Sequence, residues 1–314
     1  ARAQDFGPPA AEGRARGPGR GHGDAMANPN FKCEGEMTIA MRSAEHLPVK
    51  LFGNWRCPHT QSVWVGLEEK CVDFEWFEID LYKRENGSRQ RWLSPVEDIS
   101  RLYPAFIKCS PSAKIPALDN NGEHVKDSLI ALEYINEAFT GPPLLPTAPR
   151  LRARVRLWAR HVESQVVPHY ERLLAMQDAE GRAQARSSLQ RGLVEFEQAM
   201  APETEGPFFL GDDFSIVDIA LAPWWQRMCT VARAYRKFDP SKHPRLQLWF
   251  EAMEARPSFK RTMVDPERII EDYSEFVDFE ETSKFTRFSV QKHAGSVAPS
   301  TGRRSSEPAV STIS

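Results

Sequence analysis

One short stretch holds the residues best suited to chemistry: Trp55-Arg56-Cys57-Pro58-His59-Thr60. A β-type run, Val49-Lys50-Leu51-Phe52, comes before it, and a helical run from Pro58 to Lys70 follows. Proline is preorganised for the first turn of a helix, where its missing N–H costs nothing. Cys57 is therefore expected at the N-cap, with unpaired backbone N–H groups and the positive end of the helix dipole facing its sulfur. Thiols in such places have pKa values of roughly 3.5–7.5 and act as thiolate nucleophiles near neutral pH. Arg56 adds a neighbouring positive charge. A two-cysteine redox cycle needs a second Cys at position 60, and position 60 is Thr. Any disulfide chemistry at Cys57 must then use an external thiol.

Two further signals fit a peptide-like ligand. Lys114-Ile115-Pro116 precedes a strand-like run, Ile115 to Leu118. A cis bond before Pro116 would turn the Ile115 backbone outward, free to pair with an extended ligand. Asp127-Ser128 opens a helical run that reaches Phe139. Ser128 can cap it, and its hydroxyl and N–H sit where a carboxylate would bind. Taken singly, each has a structural reading: an ordinary trans X-Pro bond, an ordinary helix cap.

These residues must be positioned by a core, and 314 residues make one large domain or two ordinary ones. The clearest break is Gly141-Pro142-Pro143 and Pro146 to Pro149, where proline forbids a continuing helix. Before it, short β runs alternate with helical ones, giving a small α/β domain at 47–140 with an insertion near 84–104. After the 141–149 linker the period becomes helical. Leu151, Val155, Trp158, Val162 and Val166 form one apolar stripe, and 182–200, 216–233 and 243–255 also read as helices. Residues 150–274 are thus expected to be all-helical. Residues 1–25 hold six Gly, three Pro and four Arg, and 295–314 hold six Ser, so extensions at 1–46 and 275–314 are expected to be disordered.

Composition excludes several classes. Lys+Arg 41 against Asp+Glu 43 leaves no basic excess for nucleic acid. No apolar run approaches ~18 residues, so no membrane span is expected. Five scattered cysteines point to free thiols in a reducing, cytoplasmic setting. No Cys/His cluster has zinc spacing, so no metal is expected. Arg152, Arg156 and Arg160 share a helical stripe that reads as a solvated face, and Trp224, Trp225 and Trp249 read as core.

In order and spacing, three motifs together resemble the glutathione transferase superfamily, in its cysteine-type omega and lambda-like members. They are Cys57 to Trp64, Ser110-Pro111-Ser112-Ala113-Lys114-Ile115-Pro116, and Asp127 to Ile135, followed by Leu144-Leu145-Pro146. The resemblance covers about residues 47–270. It implies a thioredoxin-like N-terminal domain, an all-α C-terminal domain and a homodimer. It further implies glutathione as cosubstrate, with Cys57 facing its sulfur, the Ile115 backbone pairing with its cysteinyl unit, and Asp127 and Ser128 holding its γ-glutamyl end. His59 stands where an aromatic beside the glycyl end is usual, and Arg84 is in register to reach the glycyl carboxylate. Ser62 replaces a usual Arg. Gly211-Asp212-Asp213-Phe214-Ser215-Ile216-Val217-Asp218 reads as a capping box with a structural role.

The activity implied is thiol transfer from small glutathione mixed disulfides, and dehydroascorbate reduction. Alternatives are conjugation of electrophiles, which generally uses a Tyr or Ser absent near the first strand, and a non-enzymatic protein of the chloride-intracellular-channel type. The latter needs an apolar first helix, which Gly66, Glu68, Glu69 and Lys70 interrupt.

Overall fold

The computed structural model describes residues 48–85 and 88–277; for 83–85, 88–92, 275 and 276 only the backbone enters the description. The expected disordered extensions lie outside the described residues, except that the final helix continues to Val277 rather than ending at 274.

Strand β1 (Val49–Gly53) leads into helix α1 (Pro58–Glu69) and strand β2 (Phe74–Glu78). β1 and β2 run parallel, with Val49 opposite Phe74 and Gly53 opposite Glu78. The insertion forms a hairpin, β3 (Tyr82–Glu85) and β4 (Ser88–Leu93), and then the short helices α2 (Val96–Leu102) and α3 (Pro104–Cys109). Strand β5 (Ala117–Asn120) adds antiparallel to β1, strand β6 (Glu123–Lys126) adds antiparallel to β5, and helix α4 (Ser128–Ala138) closes the unit. The sheet order is β2-β1-β5-β6, the thioredoxin-like arrangement.

Period-two alternation along β1 creates two cores. Leu51 joins Val63, Trp64 and Leu67 of α1 and Ala131 and Ile135 of α4 on one face. Phe52 joins Ile99 and Phe106 of α2 and α3 on the other. Gly53 lets α1 approach β1 closely, since a Cβ there would clash with Thr60 Cγ2.

The second domain is helical apart from two isolated bridges, Phe208 to Gly211 and Leu210 to Asp213. Its helices are α5 (Pro149–His161), α6 (Val167–Ala175), α7 (Ala179–Ala199), α8 (Ile216–Arg227), α9 (Arg233–Arg236), α10 (Pro244–Ala255), α11 (Pro257–Thr262) and α12 (Pro266–Val277). The single stripe expected through 151–166 is broken by a π turn at Val162–Val166. Pro168 accounts for the break, because it has no N–H to continue the ladder. Pro223 inside α8 likewise frees the Ile219 carbonyl. The Ser62 hydroxyl of α1 lies 3.3 Å from that oxygen and 3.2 Å from Pro58 O, so Ser62, where a salt-bridging Arg was the usual residue, ties the two domains through a backbone acceptor. At the other end of α1, buried Glu69 takes both Arg256 donors at 2.6 and 2.7 Å, and the Ser258 hydroxyl as well.

Arg156 is exposed, as expected, and donates to Glu133; Trp224, Trp225 and Trp249 are buried, as expected. Cys57, Cys109 and Cys229 are free thiols. Cys71 is disulfide-bonded, a departure from the free thiols expected.

Candidate active site around Cys57

Cys57 occupies the N-cap of α1, with extended backbone at φ −78°, ψ 116°. Its side chain makes no capping hydrogen bond, so the helix does not use the sulfur. A tight turn delivers it: Cys57 N–H donates to Asn54 O at 2.9 Å, and Asn54 Oδ1 accepts from Arg56 N–H at 3.0 Å. Asn54 is anchored in turn to Ile79 O at 3.0 Å. Beneath the turn lies Arg227, fully buried at the end of α8. Its guanidinium donates to Gln61, to Gln226 Oε1 at 3.1 Å and to Pro223 O at 3.1 Å, and reaches the Trp55 and Arg56 carbonyls at 3.5 and 3.4 Å. Helix α12 closes the other side, with Arg268 over the Trp55 ring at 4.2 Å and Arg56 Nε 2.6 Å from Asp272 Oδ1.

Cys57 opens on a pocket of about 240 Å³. Its walls come from both domains: Asn54, His59, Ile79 and Ile115 from the first, and Tyr170, Leu174, Trp224 and Tyr273 from the second. The Ile115–Pro116 bond is cis, as the sequence allowed. Burial pushes the Tyr273 hydroxyl up to about 12, with Cys57 among the groups raising it further. Burial also raises the other free thiols, Cys109 to about 11 and Cys229 to about 12.

The remaining expected site residues divide. His59 lines the pocket, but its Nδ1 sits 3.2 Å from Ser128 Oγ and 3.4 Å from Glu163 Oε1. It therefore stands beside Ser128, the residue expected to hold the γ-glutamyl end. Burial alone would lower the His59 pKa, but the Glu163 hydrogen bond and charge outweigh it, and Cys57 and Glu171 add to the rise, giving about 9. At neutral pH the ring is thus an imidazolium, and Nδ1–H donates to both oxygens.

Asp127, not Ser128, is the N-cap of α4: its carboxylate accepts from Leu129 N–H at 3.0 Å and Ile130 N–H at 3.4 Å, at a φ of +76°. An Asx side chain tolerates that left-handed backbone and satisfies the first orphan donors. Ser128 is buried, with its hydroxyl beside His59 Nδ1 at 3.2 Å, and is not among the residues that line the pocket. Arg84 lies in β3 opposite Arg89, and its side chain is outside the described part of the chain. Sequence reasoning missed Glu163, Tyr170, Arg227, Asp272 and Tyr273. Glu163 and Tyr170 sat within a helical pattern read only for its apolar positions. Among the described residues, no group of three or more His, Cys, Asp or Glu is placed to hold a metal, and no helix is long and apolar enough to cross a membrane.

Replacing Glu163 by Gln is expected to lower the His59 pKa, because the largest raising contributions come from that carboxylate. A proton NMR titration of the imidazole measures it. The pair also favours the folded state. Since the folded pKa lies above the ordinary 6.5, that stabilisation is complete below pH 6.5 and is lost as pH rises through about 9. The stability gap between wild type and Glu163→Gln should therefore close in alkaline buffer.

A thioredoxin-like unit that presents a helix-capping thiol to a pocket roofed by a helical domain is the build of glutathione transferases. Residues 56–138 match the family model "Glutathione S-transferase, N-terminal domain", and residues 179–252 match "Glutathione S-transferase, C-terminal domain". Glutathione S-transferase U19 of Arabidopsis thaliana is 30% identical over 67% of this chain and 87% of its own length, and Glutathione S-transferase L3 of the same plant is 29% identical over 71% and 85%. The crystal structure of glutathione transferase Omega 3C from Trametes versicolor aligns at TM-score 0.59 with 32% identity, covering 70% of this chain and 90% of that one. The chain belongs to the glutathione S-transferase family.

Proposed function

We propose that this chain is a glutathione-dependent thiol transferase with Cys57 as its nucleophile. The observation that carries the reading is a free, partly exposed thiol at the N-cap of α1, unused by the helix and opening on the two-domain pocket. In the first step the Cys57 thiolate attacks the glutathione sulfur of a mixed disulfide. Cys57–S⁻ and GS–SR give Cys57–S–SG and RS⁻. A second glutathione thiolate then attacks the glutathione sulfur of Cys57–S–SG, forming glutathione disulfide and expelling Cys57–S⁻. Dehydroascorbate is a further oxidised substrate, reduced to ascorbate by two glutathiones that leave as the disulfide.

Glutathione fits the groups present. The Rice GST1 structure, 26% identical with a TM-score of 0.59 over 72% of this chain and 94% of that one, is a complex with glutathione. In this chain the Ser128 hydroxyl accepts from His59 and so keeps its own hydrogen to donate to the γ-glutamyl carboxylate, beside the His59 positive charge. Asp127 would draw the ammonium, and the Ile115 backbone the cysteinyl unit. Exposed Ile130 on α4 and Leu157 on α5 support assembly as a homodimer.

Ser128→Ala is expected to weaken glutathione binding by about 1–3 kcal/mol, the cost of an unmade hydrogen bond to a charged group. Titration calorimetry well below the melting temperature measures it. Because Asp127 holds the cap, the variant should melt close to wild type. Unchanged affinity would remove Ser128 from the site.

A further inference from the structure

The β3–β4 hairpin grows directly out of the pocket wall. Leu81 and Tyr82 line the pocket, and Tyr82 begins β3. Its base is tied down: Ser94 N–H donates to Leu81 O at 2.8 Å, and Tyr82 N–H donates to Asp80 Oδ1 at 3.1 Å. The ribbon stands apart from the four-stranded sheet. Between Tyr82 and Leu93 the sequence holds Lys83, Arg84, Arg89 and Arg91 against Glu85 alone, in a chain whose net charge is −2. Arg84 lies directly opposite Arg89 in the ladder. Like charges facing each other across a strand pair destabilise it, and a two-stranded ribbon has little stability to spare. The fold gains nothing from this pairing, whereas an anionic partner would offset its repulsion. The next acids, Glu97 and Asp98, fall in the first turn of α2, where the helix dipole accounts for them. Apolar surface continues from the ribbon. Among the described residues seven large apolar side chains are exposed, and three of them, Leu93, Val96 and Leu102, belong to this insertion.

We propose that the β3–β4 hairpin and the start of α2 form a docking surface for protein substrates, one that selects glutathionylated cysteines flanked by acidic residues. The proposal rests on the thiol-transferase reading and narrows its substrate class. Position favours a protein over a lipid surface. A chain docked on the ribbon meets the pocket at Tyr82, so its disulfide is delivered toward Cys57. Leu93, Val96 and Leu102 add apolar contact to the charge attraction. Arg89 and Arg91 contribute charge to docking and take no part in the sulfur chemistry.

Two short glutathionylated peptides test it, alike except that glutamates flank the cysteine in one and glutamines in the other. Cys57–S⁻ and peptide–S–SG give Cys57–S–SG and peptide–S⁻, and the freed peptide thiol is measured by chromatography. At low ionic strength kcat/KM should be about tenfold higher for the glutamate peptide. The preference should vanish near about 1 M salt, where the Debye length is ~3 Å. The double variant Arg89→Glu, Arg91→Glu should abolish it too, while the rate on the mixed disulfide of glutathione and 2-mercaptoethanol stays within about twofold of wild type. Equal kcat/KM for the two peptides at low salt would overturn the proposal, as would a preference that survives charge reversal. Binding to phosphatidylserine vesicles that charge reversal removes, with no peptide preference, would overturn it in favour of a membrane surface.

A binding measurement needs no turnover. Cys57→Ser protein should bind the glutamate peptide about tenfold more tightly than the glutamine one, read by fluorescence anisotropy of the labelled peptides. Equal affinities would overturn acidic docking. Failure of wild type to release either peptide thiol, with that affinity difference present and erased by charge reversal, would instead sink the thiol-transferase reading alone and leave the docking surface standing.

Discussion

Cys57→Ser is expected to reduce glutathione-dependent disulfide exchange and dehydroascorbate reduction to background while leaving the fold intact. A hydroxyl holds its proton far too tightly to supply the nucleophile. Nothing structural is lost with the sulfur, which makes no capping hydrogen bond. Serine is itself a good N-cap, so the melting temperature should be equal or slightly higher. Alkylation by iodoacetamide at neutral pH gives an independent reading. Burial raises Cys109 to about 11 and Cys229 to about 12, so neither should label readily, and most of the signal from these three free thiols should vanish with Cys57. Full exchange activity in the variant would overturn the assignment of Cys57. New conjugating activity toward electrophiles would show that the glutathione site survives and that only the sulfur chemistry has changed.

Asp218→Ala should be the most damaging single change to stability. Asp218 is fully buried and accepts from Phe209 N–H at 2.8 Å, Ser215 N–H at 2.9 Å, Ser215 Oγ at 3.1 Å and Trp249 Nε1 at 3.0 Å. Alanine removes the acceptor and leaves these donors in a dry core. The expected loss is about 3–5 kcal/mol, at the upper end for a single substitution. For a chain of this size that lowers the melting temperature by roughly 10 °C. Denaturant unfolding checks it, and a loss below about 1 kcal/mol would mean the network is not holding α8 to the loop before it. Cold, folded variant should keep its exchange activity, because Asp218 does not line the pocket.

That capping box was legible because its geometry is local. Ser215 and Asp218 are three residues apart, and the structure closes both reciprocal hydrogen bonds. The Cys57 N-cap was legible for the same reason: strand, cysteine and proline follow one another directly. The β5–β6 turn carried an equally local signal that was not used. Asn121-Gly122 is the two-residue hairpin dipeptide, and it adopts φ +53° and +94°. What stayed hidden depends on contacts distant in sequence. Glu163 meets His59 across about 100 residues of sequence, and apolar periodicity does not report such a contact. Arg227 belongs to a helix that reads as core, and only the packing of α8 against α1 puts its charge behind the Cys57 turn. Either Asp127 or Ser128 suits the cap of α4 by residue type, and only the hydrogen bonds that Asp127 accepts from Leu129 and Ile130 N–H decide between them.

The salt bridge between Arg56 and Asp272 has a consequence for how the chain is made. The two residues are separated by about 200 positions, nearly the whole described length. At 5–20 residues per second, the ribosome releases the Cys57 turn roughly 10–40 s before α12 exists to cover it. The first domain has its own sheet and two cores and can form in that interval, presenting its thiol with neither the Asp272 latch nor the Tyr273 wall in place. For that period Cys57 meets whatever oxidants and disulfides surround the nascent chain. A glutathione adduct acquired then would be the same species as the proposed catalytic intermediate, so the chain would be released with its thiol capped and recoverable by free glutathione.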